Sequence, residues 1–407
     1  MSALKQVFVR VHARYEQDRY VQDLEPFAAW LLRSGYSNKS CRTHLYRVQQ
    51  LLHAMGTKPG AVLHAAVLER EYHRLAHRCW KYHHTYSTYV DYLRAIGRLI
   101  ERPVPADPID TLVFEFCERL TRRHGFAAST VTGYRHWISD FLRRTLLPGQ
   151  SLEELPLTGL ESYIQLRSPG LVRTTLTTAI HCIQAFLLDG YRRGLLPQRL
   201  DQVDLARGFR RDLPPRAMPW PLIERLLQSI DCRDRVGRRD HAMLHLMAHY
   251  GLRTGELTYL TLDSINWRAR TLTVWQPKTR STLVLPLHDL TLNILGDYIE
   301  LARPQIDLPW LFIRGAAPLA QMTKFAASFM FRTRARRSGL PISGYSAYSL
   351  RHAFAHRLFQ QGVGMKAIGD LMGHRNLVST SVYLRLQSES LRDVALQVPS
   401  HATGGVA

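Results

Sequence analysis

Tyr250-Gly-Leu-Arg-Thr-Gly-Glu-Leu257 sets one arginine, Arg253, between two glycines, and Tyr348-Ser-Leu-Arg-His352, Leu371-Met-Gly-His-Arg375 and Tyr383 follow further along the chain. Together these segments supply two guanidinium groups on Arg253 and Arg351, an imidazole on His374 and a phenol on Tyr383. Transfer at a phosphodiester needs the charge on the non-bridging oxygens stabilised, a nucleophile, and a proton donor for the leaving oxygen. A tyrosine with this set can attack phosphorus without a metal ion, which points to DNA strand cleavage and rejoining. Lys278 lies in Gln276-Pro-Lys-Thr-Arg280, a turn between two expected strands, from which an ammonium can swing to a bridging oxygen. Each of these residues alone reads more simply as a solvated charge or a packing side chain. Their order and spacing carry the argument.

The surroundings of these segments predict a mainly helical domain with a small antiparallel sheet. Apolar residues recur at helical spacing over 222–230 and 241–250, and β-formers fill 265–274 and 282–287. Helical patterns return at about 290–303, 324–337, 350–361 and 365–372. Upstream, two proline-rich seams divide the chain: Glu101-Arg-Pro-Val-Pro-Ala-Asp-Pro108, and the basic stretch 207–219 with Pro214, Pro215 and Pro219.

The two segments before the second seam look like copies at an offset of 90 residues. Gly35 falls on Gly125, Ser40 on Thr130, Cys41 on Val131, Leu93 on Ile183 and Ile96 on Phe186. His44, Val48, Leu51 and Leu52 match Tyr134, Ile138, Phe141 and Leu142, and each set lines one helix face. The alternative is that two amphipathic helix pairs resemble each other by default. The expected fold is mainly α: two N-terminal helical bundles followed by the mostly helical domain with its small sheet.

Charge narrows the partners. Fifty-four Lys and Arg against 33 Asp and Glu leave the 407-residue chain at +21, and most of the excess is arginine, which suits bidentate phosphate contacts. An anionic membrane surface is the other reading, but no apolar run reaches the roughly 18 residues a span needs. The start, Met1-Ser-Ala-Leu-Lys-Gln6, reads as no signal peptide. The five cysteines are scattered without a Cys-x-x-Cys pair, so a reduced, cytoplasmic setting and no cysteine-based zinc site are expected. His83-His84 and His73 with His77 lack a carboxylate or thiolate partner, and neither metal nor cofactor is expected.

Over residues 217–390 the pattern resembles the tyrosine recombinase (phage integrase) family, and the resemblance includes Arg351-His-Ala-Phe-Ala-His-Arg-Leu-Phe-Gln-Gln-Gly362 and Ala367-Ile-Gly-Asp-Leu-Met-Gly-His374. It implies that Tyr383 attacks the scissile phosphate to form a 3′-phosphotyrosyl bond, and that Lys278 protonates the leaving 5′ oxygen. Arg253 and Arg351 would hold the non-bridging oxygens with His374, and Glu256 would orient Arg253 or a neighbouring side chain. Where the family's His-x-x-Arg box begins with His, this chain has Tyr348. A phenol of ordinary pKa about 10 is a poor base and a good donor. His352 is expected to point elsewhere on its helix.

The resemblance further implies a core-binding (SAM-like) domain over 109–206, a basic linker over 207–219 and a catalytic domain over 220–407. Its tail, 386–396, would dock on a neighbouring protomer, and the domains would form a clamp around DNA. Residues 1–101 would be an extra helical domain resembling a duplicated core-binding domain. The implied partners are double-stranded DNA with inverted-repeat core sites and further copies of the chain, two per site and four in a synapse, at a bacterial nucleoid. The implied function is site-specific recombination for a mobile or integrative element. Two alternatives stay beside it: relaxation of DNA in the manner of a type IB topoisomerase, and an architectural DNA binder impaired in catalysis.

Overall fold

The computed structural model describes residues 2–8, 12–76, 82–100, 107–147, 149–202, 216–373 and 380–381. Its Cα packing separates two compact units, Met1–Gly60 with Leu213–Ala407, and Ala61–Asp212. The segment 1–101 is thus shared between them.

The first unit opens with α1 (Ala3–Val7), α2 (His12–Glu16), α3 (Val21–Arg33) and α4 (Asn38–Met55). Ser37 caps α4 by accepting a hydrogen bond from the Ser40 N–H at 3.2 Å. Leu24, Phe27 and Leu31 of α3 and Leu45, Val48 and Leu52 of α4 are buried.

In the second unit α5 (Ala65–Ala76) and α6 (Tyr82–Ala95) are flanked by β1 (Leu63–His64) and β2 (Leu99–Ile100). These two strands pair in parallel, Leu63 with Leu99, which the sequence pattern does not foretell because each is only two residues long. Among the described residues, the α-helices α7 (Pro108–His124), α8 (Ala128–Thr145), α9 (Gly159–Arg167) and α10 (Arg173–Arg192) follow in this unit. Asp107 caps α7 through the Ile109 N–H at 2.9 Å, and the helix ends on Gly125 at φ 60°. Phe116, Ile138, Phe141, Tyr163, Ile183 and Phe186 form its core.

Helices α4 and α8 start and stop 90 residues apart, and Cys41, Val48, Leu51 and Leu52 are buried like Val131, Ile138, Phe141 and Leu142. The correspondence weakens afterwards. Leu93 and Ile183 are both buried, but Ile96 lies beyond the end of α6 and is exposed, whereas Phe186 is in the core.

The remainder of the first unit runs through α11 (Trp220–Gln228), α12 (Arg235–His249), α13 (Thr254–Thr258), β3 (Ile265–Asn266), β4 (Thr271–Gln276) and β5 (Ser281–Pro286). Among the described residues, α14 (Asp289–Leu301), α15 (Lys324–Arg337), α16 (Ala347–Gln360) and α17 (Met365–Leu371) follow. Helix α12 is central, buried along most of its length and packed by α11, α13, α14 and α16. The strand expected over 265–274 is broken. The Asn266 side chain accepts from the Ala269 N–H at 2.8 Å, Arg270 turns through φ 55°, and β3 folds back on β4 with Ile265 opposite Leu272. A three-stranded antiparallel sheet in the order β3-β4-β5 results. Among the described residues no helix is long and apolar enough to cross a membrane.

Candidate active site

The site is built where α12 ends. Gly251 turns the chain at φ 63°, and the Phe354 ring of α16 lies so close that a β-carbon there would collide with it. This close approach brings the start of α13 beside α16, and with it Arg253 beside Arg351. Arg253 is the N-cap of α13 and Glu256 its third residue, so the carboxylate reaches back to accept from the Arg253 backbone N–H at 2.8 Å. The same carboxylate accepts from Arg253 Nη1, and its Oε2 lies 3.6 Å from Arg351 Nη1. Glu256 therefore bears on both guanidinium groups from an interior position where it is only 3% exposed.

The two arginines differ. Arg253 borders a cavity of about 350 Å³ that is also lined by Thr254, by Ser328 and Arg332 of α15, and by Tyr345 and Tyr348. Arg351 is 2% exposed; its Nη1 donates to the Gly251 carbonyl and its Nη2 to the Met372 carbonyl. The cavity is lined by neither Arg351 nor Lys278.

Tyr348 is exposed at the cavity rim. His352, one turn on, does not point elsewhere as expected. Residues four apart share a helix face, and the two rings meet edge-on with centroids 4.6 Å apart. Burial, then the Arg351 charge, pushes the His352 imidazole down to about 4, so near neutral pH it is uncharged and weakly basic.

Lys278 is exposed in the β4–β5 turn, where Arg280 adopts φ 50°. Ahead of it Gln276 is buried, and its side-chain amide lies against Gly373. His374 and Tyr383, like the expected docking tail 386–396, lie outside the described residues. Gly373, at φ 59°, is the described neighbour of the first, and the buried Thr380 lies three residues before the second.

Arg332 and Tyr345 line the cavity and Gln276 lies against Gly373, and the motifs single out none of the three. Arg332 is hidden in the run Arg332-Thr-Arg-Ala-Arg-Arg337, where composition does not tell the arginines apart. Arg334 turns inward to Asp240 at 2.7 Å, alongside Arg239, while Arg332 shares the opposite face with Ser328. The four-residue spacing of Ser328 and Arg332, out of phase with the buried Ala327, Met330 and Phe331, is the signal that could have separated them.

Residues 222–390 match the model of the phage integrase family. The putative integrase/recombinase y4rF of Sinorhizobium fredii is 29% identical over 405 residues, spanning 93% of this chain and 92% of that protein. A second putative integrase/recombinase of the same organism, y4gC, is 39% identical over 164 residues, spanning 40% of this chain and 84% of that protein. The chain belongs to the phage integrase family, the tyrosine recombinases. Among solved structures, the integrase of transposon Tn1549 in complex with a circular intermediate DNA superposes with a TM-score of 0.54 at 19% identity, covering 70% of this chain and 99% of that one. At that identity the likeness concerns the fold, and it agrees with the mainly helical architecture and small antiparallel sheet of this tyrosine recombinase.

Proposed function

We propose that this tyrosine recombinase cuts and rejoins DNA at specific sites for a mobile or integrative element. Tyr383 Oη gives up its proton to solvent as it bonds to the scissile phosphorus, the bond from phosphorus to the 5′ oxygen breaks, and Lys278 protonates that oxygen. The phosphotyrosyl bond keeps the strand activated, so rejoining needs no external energy source. Arg253 stabilises charge on a non-bridging oxygen from the cavity, with Tyr348 donating from the rim. Arg351 and His374 serve the same phosphate, and a phosphate reaches the Arg351 guanidinium only when what now covers it is displaced.

The observation that carries this reading is the Glu256 carboxylate bound to Arg253 and close to Arg351, because it fixes two guanidinium groups at one place before any phosphate arrives. The +21 charge supports a DNA partner. Further copies of the chain complete the machine: two on each inverted-repeat core site and four in the synapse, at the nucleoid. Residues 109–206 act as the core-binding domain that closes the clamp, and the helices within 1–101, divided between the two units, add to it. Neither a relaxing topoisomerase nor an inactive architectural binder draws support from the relatives.

The test is a duplex carrying the inverted repeat that flanks the gene, nicked next to the cleavage position so that the cut end diffuses away. The wild type is expected to accumulate a covalent 3′ adduct in the presence of a chelator, and Tyr383→Phe to bind the duplex without forming it. An adduct with the Phe variant moves the nucleophile elsewhere.

A further inference from the structure

Gln276 closes β4 two residues before Lys278. Its side chain is 2% exposed, and its Oε1 accepts from the hydroxyls of Thr279 at 3.2 Å and Ser281 at 3.3 Å, across the turn that carries the lysine. Among the described residues its buried Nε2 has no hydrogen-bond partner. An apolar residue of the same shape would fill the space without that cost, so packing alone does not account for the amide. The amide is pressed against Gly373, whose φ of 59° and missing β-carbon allow the approach. On the other side of this junction, the Met372 carbonyl takes the hydrogen bond from Arg351 Nη2. The two residues ahead of His374 are thereby held between a guanidinium and an amide that come from separate parts of the chain.

We propose that Gln276 is a positioning residue that locks the Lys278 turn against the Gly373 junction, setting the proton donor in register with Arg351 and the segment leading to His374. This rests on the reading of Lys278 as the acid that protonates the leaving 5′ oxygen. Gln276 does not touch the reacting atoms. It acts through the place it gives the lysine.

The test uses the full-length protein and the flanking inverted-repeat duplex, made once with the scissile 5′ bridging oxygen and once with sulfur there. A thiolate leaves without a proton, so the sulfur substrate needs no acid. Gln276→Met keeps the length of the side chain and removes both polar atoms. It is expected to cleave the oxygen substrate about tenfold or more slowly and the sulfur substrate within about threefold of the wild type, with unchanged DNA affinity. Ser281→Ala, at an exposed position, is expected to show the same pattern more weakly and keeps the test open if Gln276→Met folds poorly. Equal losses on both substrates, or no loss on the oxygen one, would overturn the proposal. Lys278→Ala is run beside them. If the sulfur substrate fails to restore that variant, the reading of Lys278 falls, and a wild type inactive on both substrates points to the function itself.

Discussion

Arg253 and Arg351 carry the same guanidinium in unequal surroundings. Arg253 borders the cavity and leans on one carboxylate, so Arg253→Ala is expected to reduce cleavage by roughly a hundredfold or more, with little change in DNA affinity or unfolding midpoint. Equal losses in binding and cleavage would mark it as an ordinary phosphate contact. Arg351 is enclosed between two backbone carbonyls with Glu256 close by, and Arg351→Ala strips all three of a buried donor. A stability loss of about 3–5 kcal/mol is expected from denaturant unfolding, beyond any effect on cleavage. An unfolding curve like that of the wild type would show that the interior tolerates the loss. Tyr348→Phe keeps the ring against His352 and removes only the hydroxyl. Slower cleavage by this variant, and tolerance of Tyr348→His with a new pH dependence near about 6–7, would identify a hydrogen-bond donor. Full activity of the Phe variant would make the position structural. Arg253, Glu256 and Arg351 were legible as candidates because their signature is local text. Gln276 and Arg332 were not, because their places depend on which distant segment packs beside them.

Helix α12 carries His241, His245 and His249 four residues apart, and the Thr291 hydroxyl lies 2.9 Å from His245 Nε2. Burial, then the neighbouring imidazoles of His249 and His241, pushes His245 down to about 3. Burial also lowers His241, and partial burial together with Arg357 lowers the more exposed His249. Above the unfolded value of about 6.5 these rings are neutral in both states and cost nothing. As the pH falls, the unfolded chain takes protons that the folded one refuses, so stability drains away from pH 6.5 down to about 3. The urea midpoint is expected to drop between about pH 7 and pH 5, where few carboxylates titrate, and His245→Leu to flatten that slope. A midpoint constant across that interval would contradict the buried neutral ring. Elements were readable where their ends carry chemistry. Helix α15 spans 324–337 as its pattern predicts, with Thr323 capping Ala326 at 3.1 Å. The strand over 265–274 was misread because β-formers continue past Asn266, and nothing in their alternation shows that this side chain will capture the Ala269 N–H.

At the scale of the whole molecule, the first sixty residues pack with residues 213–407, although the proline-rich seam lies near residue 101. The Leu319 N–H donates to the Ser34 carbonyl at 2.9 Å, and the Leu319 side chain fills the space beside Gly35, which turns at φ 81°. Yet two large apolar cores draw nothing from this region: among the described residues, one runs from Val113 to Leu200 and the other from Met218 to Ala353. Independent cores predict that removing residues 1–105 leaves 106–407 folded, with the near-UV signature of fixed aromatic packing retained. Gly35→Val, which places a side chain where Leu319 sits, is expected to loosen this packing without disturbing either core. The truncated protein is expected to cleave a core site still and to bind it more weakly. If the basic run around His73 and Arg74 touches phosphate, the slope of log affinity against log salt falls by about 0.9 for each phosphate that the shortened protein no longer neutralises. An unchanged slope with failed pairing of two sites would instead make the N-terminal helices an interface between protomers. An insoluble truncation would mean that the packing of Leu319 on Gly35, or that of α5 and α6 within the second unit, carries the folding units past the proline-rich seam.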